Sequence, residues 1–308
     1  MNIVLSTKYD FFTPEQYKRL HDLEAEFDVR VFVQTGDAPL NCPIESIDYL
    51  IHTDLLDSHD LAEFKQLEQL QILSAGTDRL DMRSLQEKNI TVKNASDVYS
   101  VPIAEFTLMR ILEIYKSARY FEKIQQEKST VKIRDLIEVY GKTCAIYGYG
   151  SIGREIAMRL RGFGVRTIGI SRSGKSDSFI DEGLALSEST KRIGEFDIVV
   201  SCLPQTKDTS EFFDAQFFSA MREKSAFVNI SRGAVVDEDA LIAATKKGKF
   251  LGVALDVFKT EPLPEKSELW KMENAYLSPH NSFASTIMYD RLFERIYQNL
   301  VKYLEENR

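Results

Sequence analysis

The sequence predicts an α/β protein built from two doubly wound parallel-sheet domains. Short apolar runs alternate with amphipathic helical stretches along the whole chain, which is the pattern of βαβ units. A second series of strands is apolar without interruption, as strands covered on both faces must be. The length of 308 residues exceeds what a single hydrophobic core serves well.

The first series places strands at residues 2–5, 29–33, 47–51 and 71–73, with amphipathic stretches at 14–23 and 59–70 between them. A long helix is predicted from Ser100 to about Phe121, with Ser100 as its cap and Pro102 in its first turn, where proline has no bond to lose. Ile103, Phe106, Leu108, Ile111, Leu112 and Ile114 spread apolar side chains over more than one of its faces. Such a helix needs a covering surface on two sides, so a homodimer is expected. The second series has strands at 143–147, 165–170, 196–202, 225–230 and 251–257, and helices at 152–161, 215–222 and 237–247. A last amphipathic helix spans about 284–304. The boundary between the series falls near 94–100. The expected domains are 1–97 with 284–308, and 98–283.

Composition narrows the function. The chain is 44% hydrophobic and 28% charged, which excludes disorder, collagen and coiled coil. Its formal charge of −8, without a long basic run, argues against nucleic acid or an anionic membrane as the partner. Cys42, Cys144 and Cys202 are widely spaced and form neither a disulfide framework nor a metal site, so a reducing cytoplasm is expected. The N-terminus turns polar after one short apolar run, unlike a signal peptide. No apolar window approaches the roughly 20 residues of a membrane span.

Gly148-Tyr149-Gly150-Ser151-Ile152-Gly153 reads GxGxxG. The motif acquires meaning from its context, directly after the strand 143–147 and at the start of a helix. Gly148 would allow the tight turn, Gly150 a close backbone approach to a pyrophosphate, and Gly153 close helix–strand packing. The helix N-terminus offers free N–H groups and a positive dipole end to phosphates. A Rossmann dinucleotide-binding domain follows. NAD binders usually carry an acid at the end of the second strand for the ribose 2′-hydroxyl. Here that place holds Ser171, Arg172 and Ser173, with Lys175 behind. Hydroxyls and an arginine fork suit a 2′-phosphate, so NADP is the expected cofactor, with NAD as the alternative.

Three polar groups fall at later strand ends. Arg232 lies in Asn229-Ile230-Ser231-Arg232-Gly233, Glu261 follows 29 residues later before Pro262, and His280 closes Ser278-Pro279-His280 a further 19 residues on. Taken singly, these could be an ion-paired arginine, a turn cap and a structural histidine. In an open α/β sheet ligands bind at the carboxyl ends of strands, so together they suit one crevice. Hydride transfer to a 2-keto acid needs an anchored carboxylate, a polarised carbonyl and a proton donor.

These motifs resemble the D-isomer-specific 2-hydroxyacid dehydrogenases. The likeness covers nearly the whole chain and is densest over 141–283, including the turn Leu203-Pro204-Gln205-Thr206-Lys207-Asp208-Thr209 and the segment Leu269-Trp270 through His280. The resemblance implies a flavodoxin-like substrate domain beside the Rossmann domain. It implies that Arg232 binds the substrate carboxylate and carbonyl, His280 is the acid/base and Glu261 holds the imidazole. It further implies cofactor contacts from Tyr149, Ser151, Ile152, Cys202, Leu203, Pro204, Thr209 and Ile230, with Asp256 at the nicotinamide carboxamide. The loop Ser74-Ala75-Gly76 is similar to the family loop whose N–H groups hold the substrate carboxylate. The Ser-Arg-Ser turn is similar to that of the glyoxylate/hydroxypyruvate reductase branch. The family often carries a tryptophan before Gly141, whereas residues 125–140 have none and the single tryptophan is Trp270.

The chemistry is consistent with those roles. A carboxylate beside an imidazole favours the protonated form, so Glu261 is expected to keep His280 charged and able to donate. Arg232, planar and permanently charged, suits an α-keto carboxylate better than lysine would. The expected reaction is NAD(P)-dependent reduction of a small 2-keto acid to the D-2-hydroxy acid, and its reverse. The choice of acid would depend on loops near His52, Arg79 and Met288. A dinucleotide-sensing regulator without turnover is the opposing reading, and a nucleotide-fold methyltransferase a third. Neither has a use for the full set of Arg232, Glu261 and His280.

Overall fold

A computed structural model describes residues 1–36, 39–52, 56 and 59–308. The chain divides into two compact units, Met1–Tyr99 with Ser285–Arg308, and Ser100–Ala284.

The first unit holds a five-stranded parallel sheet: β1 (Asn2–Thr7), β2 (Arg30–Thr35), β3 (Tyr49–His52), β4 (Gln69–Ile72) and β5 (Thr91–Lys93), in the order β2-β1-β3-β4-β5. That is the flavodoxin-like order. Helix α1 (Pro14–Phe27) starts at a reciprocal capping box, with Gln16 N–H donating to Thr13 Oγ1 at 3.2 Å and Thr13 N–H to Gln16 Oε1 at 2.8 Å. The short helix α2 (Met82–Glu87) precedes β5. The C-terminal helix α9 (Met288–Glu306) buries Leu292, Phe293, Ile296, Leu300 and Leu304 in this unit. Its Phe293 meets Phe12 edge-on, and Tyr303 meets Tyr49.

The second unit holds seven parallel strands: β6 (Thr143–Tyr147), β7 (Arg166–Ser171), β8 (Glu182–Ala185), β9 (Ile198–Ser201), β10 (Ser225–Asn229), β11 (Phe250–Leu255) and β12 (Ala275–Leu277). Their order is β12-β11-β10-β9-β6-β7-β8. Counted within the unit this is the Rossmann order 3-2-1-4-5-6, with a seventh strand at one edge. The helices are α3 (Ser96–Tyr115, whose first turn belongs to the first unit), α4 (Ala118–Gln126), α5 (Ser151–Arg161), α6 (Leu186–Ser189), α7 (Ala215–Ala220) and α8 (Glu238–Lys246). An edge-to-face cluster of Tyr147, Phe213, Phe217, Phe218, Phe227 and Phe250 fills one side of the sheet. Both sheets have the doubly wound parallel architecture that the strand–helix alternation predicts.

Three local expectations are corrected, and two strands are added to those the sequence predicts. The stretch 59–70 is not a helix; it holds one 3₁₀ turn (Leu61–Glu63), and Phe64 and Leu67 reach the core from a loop, which imitates helical spacing. Helix α3 begins at Ser96, so Pro102 lies inside it rather than in its first turn. The chain leaves that helix at Tyr115, where left-handed Ser117 separates it from α4. Strands β5 and β8 lack a strong apolar run because each lies at a sheet edge and is only partly covered.

All three cysteines are free thiols. Among the described residues no helix is long and apolar enough to cross a membrane.

Candidate active site

In the second unit β6 and β9 lie side by side where the strand order reverses, the place at which open α/β sheets bind ligands. Gly148, directly after β6, has a φ of +88°, and a Cβ there would lie 2.4 Å from the Cys202 carbonyl oxygen. Only glycine satisfies both conditions. The N–H groups of Gly148 and Tyr149 both donate to Ile170 O at 2.9 Å. Gly150 caps α5 without a side chain, and the direction of its missing Cβ is open for 4 Å. The first-turn N–H groups of Ser151, Ile152 and Gly153 have no partner within the helix. A Cβ on Gly153 would lie 3.1 Å from Ile146 Cγ2, so this glycine serves helix–strand packing. An open backbone approach at an uncapped helix N-terminus fits the pyrophosphate of a dinucleotide.

At the end of β7, Ser171 Oγ accepts the Gly174 N–H at 3.2 Å and closes the turn that exposes Arg172 and Ser173. That turn rests on β8, since a Cβ on Gly183 would lie 2.5 Å from Gly174 O. Beyond β9, Thr209 Oγ1 donates to Pro204 O at 2.6 Å and accepts the Thr206 N–H at 2.8 Å, folding the 204–209 loop onto itself. Burial pushes the Cys202 thiol up to about 12, which leaves it protonated and a poor nucleophile.

The polar residues beyond the glycine turn follow three adjacent strands. Arg232 comes after β10. Buried Asn229 shapes its loop, accepting the Ser231 N–H at 3.1 Å and donating through Nδ2 to Arg232 O at 3.0 Å. The Arg232 guanidinium donates to Ser231 O at 2.8 Å. Gly233 is obligatory, because a Cβ would fall 1.9 Å from the Phe258 backbone. Glu261 comes after β11. It accepts the Phe258 N–H through Oε1 at 3.0 Å, and its Oε2 lies 2.8 Å from His280 Nδ1. His280 comes after β12 with a φ of +52°.

Asp256 explains how His280 is held in that conformation. Its buried carboxylate accepts the Ser278 hydroxyl at 2.7 Å and the N–H groups of Asn281 and Ser282, each at 2.9 Å. Its carbonyl accepts the His280 N–H at 2.7 Å. The turn that aims the imidazole is therefore wrapped around one carboxylate, a role beyond the cofactor contact implied by resemblance.

In the first unit, the loop after β4 has four successive carbonyls engaged. Tyr99 Oη donates to Leu73 O, the Ala95 N–H to Ser74 O at 3.1 Å, Asn94 Nδ2 to Ala75 O at 3.1 Å, and Ser74 Oγ to Gly76 O at 2.8 Å. Those four bonds fix the backbone of the loop. His52 is buried at the end of β3 and Met288 at the start of α9, while Arg79 is exposed.

The family description "D-isomer specific 2-hydroxyacid dehydrogenase, NAD binding domain" matches residues 108–282, more than half of the chain. The chain belongs to this dehydrogenase family. A glyoxylate reductase from Pyrococcus furiosus is 30% identical, over 91% of this chain and 87% of its own length. A D-isomer specific 2-hydroxyacid dehydrogenase family protein from Aeromonas salmonicida superposes with a TM-score of 0.81 at 26% identity, covering 99% of this chain and 96% of its own. The family's enzyme from Xanthobacter autotrophicus, crystallised with NADPH and MES, gives 0.78 at 25% identity, covering 99% of this chain and 96% of its own. The chain is thus an NAD(P)-dependent oxidoreductase of the 2-hydroxy acid/2-keto acid class.

Sequence reasoning missed Asp177, Asn229 and Asn94 as organisers of this dehydrogenase. Asn229 had a signal, since an asparagine two residues before a serine suits an Asx turn. Asp177 and Asn94 also make local turns, to the N–H groups of Phe179 and Ser96, but their long-range partners Tyr149, Arg154 and Ala75 are not announced in the sequence.

Proposed function

We propose that this enzyme reduces a small 2-keto acid of the glyoxylate or hydroxypyruvate kind to the D-2-hydroxy acid, reversibly and with preference for NADPH. The observation that carries the reading is the 2.8 Å contact of His280 Nδ1 with Glu261 Oε2, at the ends of neighbouring strands and one strand from Arg232.

The bound nicotinamide supplies the hydride. Every other role falls to the chain. Gly148, Gly150 and the first turn of α5 cradle the pyrophosphate, with Tyr149, Ser151, Ile152 and Gly153 in that turn. Cys202, Leu203, Pro204, Thr209 and Ile230 line the way toward the nicotinamide, and Asp256 presents its edge to the carboxamide. Ser171, Arg172 and Ser173 take the 2′-phosphate. Arg232 pairs with the substrate carboxylate and stabilises the negative charge developing on the carbonyl oxygen. The Ser74-Ala75-Gly76 loop of the first unit, which serves as substrate domain, offers N–H donors to the same class of ligand. Glu261 holds Nδ1 of His280, so Nε2 gives its proton to the nascent alkoxide and recovers it in oxidation. The glyoxylate reductase name of the Pyrococcus furiosus relative supports the choice of small acids.

Homodimerisation belongs to the same reading. Helices α3 and α4 border an open groove of about 660 Å³, apolar at Leu108, Met109, Leu112 and Phe121, which a second copy would cover.

The test is a panel of glyoxylate, hydroxypyruvate, pyruvate and branched-chain 2-keto acids with NADPH and with NADH. Turnover of at least one small acid, faster with NADPH, is expected. No turnover with any of them would leave the sensing regulator as the better reading, and higher kcat/KM with NADH would reverse the cofactor preference.

A further inference from the structure

The 2′-phosphate side chains sit on a segment, residues 172–181, that crosses from β7 to β8 with little regular structure of its own. What holds it is a carboxylate with three donors. Asp177 Oδ1 accepts the Tyr149 hydroxyl at 2.8 Å and the Phe179 N–H at 2.9 Å, and Oδ2 accepts Arg154 Nη2 at 2.8 Å. Tyr149 belongs to the glycine-rich turn, and its ring fills the space over Gly169 of β7, where a Cβ would come within 2.7 Å of it. Arg154 belongs to α5, and its guanidinium also lies 5.1 Å from the Phe179 ring centroid. A second tie runs from Arg161 of α5 to Ser178 O at 2.8 Å.

We propose that Asp177 is a specificity-determining positioning residue: it fastens the Ser171–Lys175 turn to the pyrophosphate turn and so fixes the side chains that select the 2′-phosphate. The inference rests on the NADPH preference proposed above. A free carboxylate so near a phosphate site would repel the ligand. Here both oxygens are engaged and the charge is paired with Arg154, while the exposed cations of the turn are Arg172 and Lys175. Burial alone would raise the Asp177 carboxyl, but the bonds from Phe179, Tyr149 and Arg154, with the charge of Arg154, outweigh it and hold the group below its ordinary value. The clamp is thus intact at neutral pH.

The consequence is selective. NADH needs the pyrophosphate cradle, which has its own anchors in Gly148 and α5, whereas NADPH also needs the turn held by Asp177. Fluorescence titration of the full chain with NADPH and with NADH reads both. In Asp177→Ala the NADPH Kd should rise by about tenfold and the NADH Kd by no more than about twofold. Tyr149→Phe, which removes one donor and conserves the fold, should shift the ratio the same way by about threefold. The kcat of Asp177→Ala at saturating NADPH should stay within about twofold of the parent, because the residue touches no reacting atom.

Equal losses for both cofactors would reduce Asp177 to a structural residue and overturn the inference. Tighter NADPH binding in Asp177→Ala would also overturn it, since the carboxylate would then act as a repelling charge. A parent enzyme that binds NADH better overturns the cofactor reading and the inference together. A parent that prefers NADPH with an unchanged ratio in both variants defeats the inference alone.

Discussion

The Cβ that Gly148 lacks would lie 2.4 Å from the carbonyl oxygen of Cys202. This glycine therefore lets the chain leaving β6 pass against the backbone that leaves β9 at the switch point. Cys202 cannot yield, because its N–H donates to Tyr147 O at 2.7 Å. In Gly148→Ala the left-handed backbone alone costs about 1–2 kcal/mol, and the collision adds to it. The thermal midpoint is expected to fall and NADPH fluorescence enhancement to be lost. An alanine variant that titrates like the parent would contradict the geometry.

Asp256 should matter to His280 more than to folding at large. In Asp256→Asn one carboxylate oxygen becomes an NH₂ group facing a backbone N–H, leaving a buried donor unpaired at a cost of about 1–3 kcal/mol. The turn reopens and His280 leaves its left-handed conformation. Steady-state kinetics should show kcat reduced by about tenfold or more, with the NADPH Kd changed less. A loss confined to cofactor affinity would instead place Asp256 solely at the nicotinamide.

His280→Asn removes the proposed proton donor and keeps a side chain of similar size. The expected loss in kcat is about two to four orders of magnitude, with cofactor binding retained in fluorescence titration. Near-parental turnover with any keto acid would remove the acid/base role.

The edge strand β8 carries a pH-dependent contribution. Glu182 pairs with Arg192 and, at 2.8 Å, with Arg166 of β7. The Arg192 hydrogen bond is the main cause that holds the Glu182 carboxyl below its unfolded value of 4.5; burial opposes it, and the charges of Arg192 and Arg166 assist. A depressed carboxylate stabilises the fold above its unfolded value, and the benefit disappears as pH falls through the folded one. Glu182→Gln should therefore lower the melting temperature at neutral pH, and the gap from the parent should close in acid. A gap that is constant across that range, measured by circular dichroism, would remove the electrostatic account.

Much of this site is written locally in the chain. The glycines at 148, 150 and 153 mark a turn and a helix start that neighbouring residues announce. Arg232, Glu261 and His280 each stand a few residues past an apolar run, so strand ends alone indicate where they lie. The same local logic fails at α3, where proline at 102 suggested a beginning four residues too late, and at residues 59–70, where loop side chains copied a helical rhythm.

The chain's alternation of apolar runs, its glycine spacing and its three polar motifs were enough to establish two wound sheets, a dinucleotide turn and a set of acid/base candidates, because each depends on residues close in sequence. Only the folded molecule decided which carboxylate does what. Glu261 meets the imidazole, Asp256 folds the turn beneath it, and Asp177 ties its segment to the glycine-rich turn through Tyr149, 28 residues earlier in the chain. Those distinctions arise from hydrogen bonds between distant segments, and a carboxylate's role follows from the donors that tertiary packing brings to it.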